Sequence, residues 1–443
     1  MSEDQGSSSQ WRRGRWKPSV AEARGRFLSC LLALAVLAQT SGCTVLTREK
    51  RSLYHFNHSF PASDPAFRRS LDTFGNMMVG GNSAEILNNG DAIFPAMLGA
   101  IREAKASVNL ESYIFKDDRA GHLFADALMD AARRGVEVRL LLDGTGGAAG
   151  SLFEPMKKAG VNARIFHPVR LTPWSLYKIG QRTHRKILVV DGVTCFTGGV
   201  GIQDVWLGNA RNPHEWRDVQ VRVTGPATAQ MQAIFSEDWI FTTGEILAGD
   251  KFYPAIPSAG GVEAQAIKAS RGDSSSLAKM LYYVAIQSAE KSIHIQNAYF
   301  LPDDQIRVAL GNAQRRGVDV KIMVPGTHID VKLVRMASRL HYGDLFEGGV
   351  KIYEYADTML HNKTAVIDGI FSLIGSINLD ARSMRKNAEE SMAFYDHDVA
   401  ARLEATFAED LKHCREVTYE SWKKRGLLTR ATELFSWFFK PLY

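Results

Sequence analysis

The chain has 443 residues, 45% of them hydrophobic and 23% charged, a profile that excludes a disordered or fibrous protein. That length allows two or three ordinary domains, or one large duplicated unit. The formal net charge of +6 suits an anionic partner, such as a membrane surface or a phosphate-bearing substrate, and equally suits an ordinary basic globular surface.

The basic excess is uneven. Residues 1–42 carry Arg12, Arg13, Arg15, Lys17, Arg24 and Arg26 against Glu3, Asp4 and Glu22. An apolar run, Phe27 to Ala38, follows the last arginine. It has the length of a signal-peptide core and is too short to span a bilayer. Ser41-Gly42-Cys43 resembles the end of a bacterial lipoprotein signal, in which the cysteine is lipidated, although Thr40 stands where an aliphatic residue is usual. Residues 1–43 therefore read as a leader. Lipidation at Cys43, an uncleaved anchor and an apolar stretch without function all remain open. Either of the first two places the domain at a bacterial membrane, on its exported side. The other cysteines beyond the apolar run, Cys195 and Cys414, form no CxxC or Cys/His cluster, so no structural zinc is expected. Cys195 lies in an apolar run and is expected to be buried and free.

Residues 44–80 read as a linker or irregular edge. From about residue 81 the sequence repeats. Ala104 to Phe115 and Ala289 to Phe300 each read as a helix end running into a strand. Ala131-Ala-Arg-Arg-Gly-Val and Ala313-Gln-Arg-Arg-Gly-Val each read as a basic helix terminus, a glycine cap and a β-branched strand. Ala159-Gly-Val and Gly348-Gly-Val each precede a further strand. The expectation is α/β units in two halves, 81–250 and 262–425. A Pro/Gly-rich linker at 251–261 joins them. The tail, 426–443, ends in aromatic and apolar residues with Lys423, Lys424, Arg425 and Arg430 close by. It either rests on a membrane surface or packs back on the domain.

The chemistry is carried by two copies of one pattern. His184-Arg-Lys186-Ile-Leu-Val-Val-Asp191-Gly192 and His361-Asn-Lys363-Thr-Ala-Val-Ile-Asp368-Gly369 are both His-x-Lys-x4-Asp-Gly. On a strand, residues i and i+2 share a face, so His and Lys point the same way. One imidazole can attack phosphorus while the other protonates the leaving oxygen. The lysines can neutralise phosphoryl oxygens as charge develops. The aspartates Asp191 and Asp368 are expected near the histidines, orienting the rings. This chemistry calls for no cofactor and no metal. Two matching copies at corresponding places in a repeat are far more specific than a lone His-x-Lys.

These motifs resemble the paired signatures of the phospholipase D superfamily, and within it the bacterial cardiolipin synthases. The likeness extends from about residue 80 to 410, including Glu111-Ser-Tyr-Ile-Phe, Trp216-Arg-Asp218 and Asn387-Ala-Glu389. The resemblance implies a duplicated phospholipase D-like fold, with two α/β/α sandwich halves packed around one shared active site. It implies a phospho-histidine intermediate on His184, with His361 as acid and then base. It implies that Gly199, Ser376 and Asn378 support the phosphate alongside the lysines, and that Glu389 orients a ring. The first half departs from the family pattern, with Gly201 where many relatives have Asn. The implied reaction transfers a phosphatidyl group between two phosphatidylglycerol molecules and releases glycerol. The expected partners are phospholipid substrates and a bacterial membrane, with neither nucleic acid nor an obligate protein partner. A hydrolytic phospholipase D, a synthase using phosphatidylethanolamine, a nuclease of the superfamily and a non-enzymatic membrane scaffold are the competing readings.

Overall fold

The computed structural model describes residues 54–56, 60–169, 181–269 and 277–436. The expected leader with Cys43 and the last residues of the tail lie outside the described residues. Nearly all described residues belong to one unit, His55–Tyr443.

A short helix, α1 (Pro65–Leu71), precedes the first half, which runs β1 (Val79–Asn88), α2 (Asn89–Glu103), β2 (Ser107–Ser112), α3 (Arg119–Arg133), β3 (Glu137–Asp143), α4 (Phe153–Lys158), β4 (Asn162–Phe166), β5 (Lys186–Val190), β6 (Thr194–Gly198), β7 (Val219–Thr224) and α5 (Ala227–Thr243). The second half runs β8 (Val262–Ala269), α6 (Leu277–Ser288), β9 (Ser292–Asn297), α7 (Asp304–Arg315), β10 (Asp319–Pro325), α8 (Lys332–Leu340), α9 (Tyr342–Glu347), β11 (Lys351–Tyr355), β12 (Lys363–Ile367), β13 (Phe371–Gly375), α10 (Ala381–Arg385), β14 (Glu389–Tyr395) and α11 (His397–Leu411). Strand β15 (Cys414–Val417), α12 (Tyr419–Lys423) and α13 (Leu427–Ser436) complete the described chain.

Strand β1 pairs antiparallel with both β7 and β8, which joins the halves into one sheet of fifteen described strands. Outward from that junction the orders correspond: β1-β7-β6-β5-β2-β3-β4 on one side and β8-β14-β13-β12-β9-β10-β11 on the other, with β15 added at the second edge. The halves are thus a structural duplication, as the sequence repeat predicts. The Arg-Arg-Gly signals end helices α3 and α7. Gly135 and Gly317 take φ of 89° and 96°, the left-handed conformation that a glycine adopts without a Cβ penalty.

Among the described residues, the three largest hydrophobic cores hold the layers together. Helices α2 and α3 bring Ile93, Phe94 and Phe124 onto Leu110, Leu140 and Leu188. Helices α6, α7 and α9 bring Leu281, Leu310 and Leu345 onto Ile293, Ile322 and Leu373. The third core belongs to both halves: Ile187, Val189, Phe235 and Trp239 pack with Val366, Ile374, Met392 and Phe394. Each such large apolar side chain contributes about 1.5–3 kcal/mol when fully buried. Cys195 lies in this shared core as a free thiol, and burial pushes its pKa up to about 12.

Residues 44–80 are not irregular throughout. Helix α1 starts at Pro65 under an Asp64 cap and buries Phe67 and Leu71 in the core of the second half. Asp-Pro is a sound helix-start signal, but a seven-residue helix gives too little periodicity to recognise. Residues 254–259 connect α5 to β8 without regular structure, as the Pro/Gly content suggests.

Candidate active site

The two His-x-Lys segments meet at the junction of the halves, and each is held by the other half. The His184 N–H donates to the Ala388 carbonyl at 2.8 Å, and the His361 N–H donates to the Arg217 carbonyl at 2.7 Å. These bonds stand at corresponding places. Gly198 pairs with Gln220, and Gly375 with Ser391, so Asp218 and Glu389 occupy the same position in the repeat.

Side chains repeat the exchange. The Nδ1 of His184 lies 2.7 Å from Glu389 Oε2. The Nδ1 of His361 lies 2.8 Å from Asp218 Oδ2. Glu389 and Asp218 are both fully buried. A carboxylate beside Nδ1 keeps the proton there and leaves the lone pair on Nε2. Each half therefore supplies the ring of one pair and the carboxylate of the other.

Asp218 is a candidate site residue that the sequence motifs do not single out, although Trp216-Arg-Asp218 is one of the segments that carry the family likeness. The signal was its match to Asn387-Ala-Glu389, hidden by the different spacing from the preceding Gly-rich turn. Asp218 Oδ2 also accepts from the Trp206 indole at 2.9 Å. Arg217 ties the two halves together: its Nε donates to Asp410 Oδ1 of the second half at 2.7 Å, and its Nη atoms donate to Asn88 and Asn89 of the first. Trp206, Trp216 and Tyr299 surround the His361 ring, with centroids at 5.4, 5.4 and 6.3 Å. Tyr113 stands edge-on to His184 at 5.0 Å. None of these aromatic residues was singled out individually from sequence.

The lysines open strands β5 and β12. Lys186 Nζ donates to the His184 carbonyl at 2.7 Å, and Lys363 Nζ to the His361 carbonyl at 2.5 Å. Lys363 Nζ is also 3.0 Å from both ring nitrogens of His361. Burial outweighs the nearby carboxylates. It lowers the His184 pKa to about 4, with Lys186 and Lys363 adding to the shift against Glu389. It lowers His361 too, helped by Lys363. Burial brings Lys363 down to about 7, against the pull of Asp218, and lowers Lys186. The site thus holds two neutral imidazoles and two destabilised ammonium groups, a set that an entering phosphate anion would stabilise.

Asp191 and Asp368 do not orient the histidines. They sit in the turns at the far ends of β5 and β12, with φ of 51° and 52°, followed by Gly192 and Gly369 at 68° and 64°. Two successive left-handed residues make the tight hairpin turn that Asp-Gly favours. The Asp191 carboxylate accepts from the backbone N–H groups of Lys105, Ala106 and Ser107 at 2.7–3.1 Å. Asp368 does the same for Glu290, Lys291 and Ser292. A five-residue strand separates each aspartate from its motif's histidine, so the pair is adjacent in the motif but not in space. Both aspartates tie a hairpin to the start of the neighbouring strand.

Glu389 gathers four donors: His184, Ser376 Oγ at 2.6 Å, Ser383 Oγ at 2.7 Å and Asn387 Nδ2 at 3.2 Å. Burial raises its pKa, but His184, Lys186 and Ser376 together hold it below the usual carboxylate range. Ser376 is engaged with the carboxylates. Gly199, its counterpart, lies so close to Asp218 that a Cβ would collide with the carboxylate. Each of these two residues supports an orienting acid. Asn378 is buried, and its Oδ1 has no hydrogen-bond partner among the described residues. Its loop is held by Asn297, which accepts from the Leu379 N–H at 3.1 Å and is the register partner of Lys363. Gly201 stands opposite Asn378 in the repeat, and a Cβ there would come within 2.9 Å of the Trp206 ring. At this place the first half seats the Trp206 ring where the second half holds an amide. Among the described residues no group of three or more His, Cys, Asp or Glu side chains is arranged to hold a metal.

The chain matches the family model described as "Cardiolipin synthase, PLD-like domain" over residues 97–239 and 282–411. It is 36% identical over 361 residues to a cardiolipin synthase of Geobacillus kaustophilus, covering 81% of this chain and 72% of that one. It is 35% identical over 364 residues to a probable cardiolipin synthase of Bacillus subtilis, covering 80% and 71%. A crystal structure of phosphatidylserine synthase from Haemophilus influenzae shares the fold, with a TM-score of 0.61 at 14% identity over 84% of this chain and 96% of that one. Duplicated sheet, exchanged His–carboxylate pairs and sequence likeness over most of the chain agree: the chain belongs to the bacterial cardiolipin synthases of the phospholipase D superfamily, enzymes that transfer phosphatidyl groups.

Proposed function

We propose that the chain joins two phosphatidylglycerol molecules into cardiolipin and releases glycerol. The observation that carries this is the pair of imidazoles, one from each half, each with its Nδ1 on a buried carboxylate of the other half. His184 Nε2 attacks phosphorus, and the bond to the glycerol headgroup oxygen breaks. His361 gives that oxygen a proton. Its pKa is low in the empty site and rises once a phosphate anion lies beside it. The hydroxyl of a second phosphatidylglycerol then loses its proton to His361 and attacks phosphorus, and the phosphorus–nitrogen bond breaks. Lys186, Lys363 and Asn378 hold the phosphoryl oxygens. Asp218 and Glu389 position the rings without touching substrate.

Water could accept the phosphatidyl group through the same steps. The relatives' names favour a lipid acceptor. We place the enzyme at a bacterial membrane on its exported face, anchored through Cys43. The apolar run Phe27 to Ala38 and Ser41-Gly42-Cys43 support that placement.

The test supplies phosphatidylglycerol vesicles to the purified protein and to its His184→Ala and His361→Ala variants. Cardiolipin and glycerol, lost in both variants, are the expected products. Phosphatidic acid alone, also when phosphatidylethanolamine is added, would overturn the synthase reading in favour of hydrolysis.

A further inference from the structure

Helix α13 (Leu427–Ser436) is amphipathic and docked inside out. Its buried face is polar: Glu433 is 1% exposed and Ser436 is fully buried. Glu433 lies 3.3 Å from Arg339 Nε and 2.6 Å from Arg425 Nε. Arg425 in turn lies over the Trp422 ring at 3.9 Å, and the Trp422 indole donates to the Arg339 carbonyl at 2.8 Å. The helix is therefore clamped on α8 by ionic and aromatic contacts. Its outward face is apolar. Leu427, Leu428 and Leu434 are 82%, 80% and 61% exposed. With Ala431, also exposed, they follow the spacing of one helical stripe.

This reverses the usual arrangement, in which a helix buries its apolar stripe and shows its polar one. Single exposed leucines are ordinary, but an apolar stripe held outward by a buried glutamate calls for an occupant. The charge nearby says which kind. Lys423, Lys424 and Arg430 are exposed around the stripe, with Glu420 as the exposed acid of the same stretch. Apolar residues flanked by cations match an anionic lipid surface.

The position is informative too. Helix α8, on which α13 is clamped, begins two residues after Asp330. Asp330 accepts from the Tyr299 hydroxyl at 2.6 Å, and the Tyr299 ring stands edge-on to His361. A surface that receives α13 therefore lies one helix away from the candidate active site.

We propose that the outward stripe of α13 is a docking surface for an anionic phospholipid bilayer, and that the buried Glu433–Arg339–Arg425 cluster exists to hold that stripe outward. The proposal stands on packing and charge and does not depend on the acceptor lipid. Hydrogen–deuterium exchange of the full chain tests it, with and without vesicles of phosphatidylcholine containing phosphatidylglycerol. The expected result is slowed exchange over 427–436 with the mixed vesicles, at least threefold weaker with phosphatidylcholine alone, and absent in a Leu427→Asp/Leu428→Asp/Leu434→Asp variant. Turnover of detergent-dispersed phosphatidylglycerol by that variant should stay within twofold of the parent, while turnover of vesicles falls at least tenfold. Unchanged exchange on mixed vesicles would overturn the proposal. So would protection that appears without lipid as protein concentration rises, which would assign the stripe to a second copy of the chain. The exchange readout is independent of which product forms, so failure of the synthase reading would leave this test intact.

Discussion

Replacing Asp218 with asparagine removes one charge and almost no volume. In the parent, Asp218 Oδ2 accepts from His361 Nδ1 at 2.8 Å and from the Trp206 indole at 2.9 Å, and the residue is fully buried. The asparagine amide has one acceptor oxygen for these two donors and the Val219 N–H that Oδ1 also takes. If its NH2 faces His361, the ring must turn its tautomer over, moving the proton to Nε2 where the reaction needs the lone pair. A hydrogen bond to a charged group contributes ~1.5–3 kcal/mol, which corresponds to a loss of about 10- to 150-fold in kcat/KM. The loss should exceed the lower figure, because Asp218 also opposes the burial that pushes Lys363 toward its neutral form. The assay is the initial rate of cardiolipin formation from phosphatidylglycerol, with kcat and KM separated and thermal unfolding measured on the same samples. The fall should appear mainly in kcat, and Asp218→Glu should recover part of it only if the longer carboxylate still reaches Nδ1. A variant within threefold of the parent at unchanged stability would refute the role given to Asp218, and with it the exchange of carboxylates between the halves.

Asp191→Asn and Asp368→Asn should separate from the site residues: each loses ~1–3 kcal/mol of stability by weakening the bonds to three backbone N–H groups, while kcat at a temperature where both proteins are folded stays within a few-fold. A large loss of kcat without loss of stability would return these aspartates to the chemistry. Gly201→Asn, which gives the first half the residue that Asn378 is in the second, should not improve the enzyme; the new side chain meets the Trp206 ring, costs about 1–3 kcal/mol by overpacking and lowers the rate by shifting the residue that holds Asp218. Lys363, brought down to about 7 by burial, is charged below that pH and neutral above it in the free protein. Its contribution to kcat/KM should therefore fall as pH rises through about 7, and Lys363→Arg, which stays charged, should lack that limb at whatever absolute rate it retains. Below about pH 4 the His184 ring becomes protonated, so the acid limb of the parent should lie near that value.

Much of this protein was legible in its sequence. The repeat gave the duplicated architecture, because matching helix ends and strand starts recur at matching offsets in the two halves. The paired His-x-Lys patterns gave the candidate site, because few other chemistries need the same two side chains twice. Glu389 and Asn378 were implied by family likeness, and the structure buries both and sets Glu389 against His184 of the first-half signature. The motif also misled, since Asp191 and Asp368 share its spacing but sit a full strand away, where their carboxylates cap backbone N–H groups. Tertiary structure alone decided what faces each histidine. Glu389 and Asp218 come from the opposite half in each case, and pairing across a pseudo-twofold junction leaves no trace in local spacing. It also decided that Gly201 makes room for the Trp206 ring, a close approach of ring to backbone that no periodicity encodes. The outward apolar face of α13 was equally hidden, because a helical stripe in sequence tells which residues lie together but not which face the protein keeps for itself; here an ion cluster made by Arg339, from a distant helix, makes that choice.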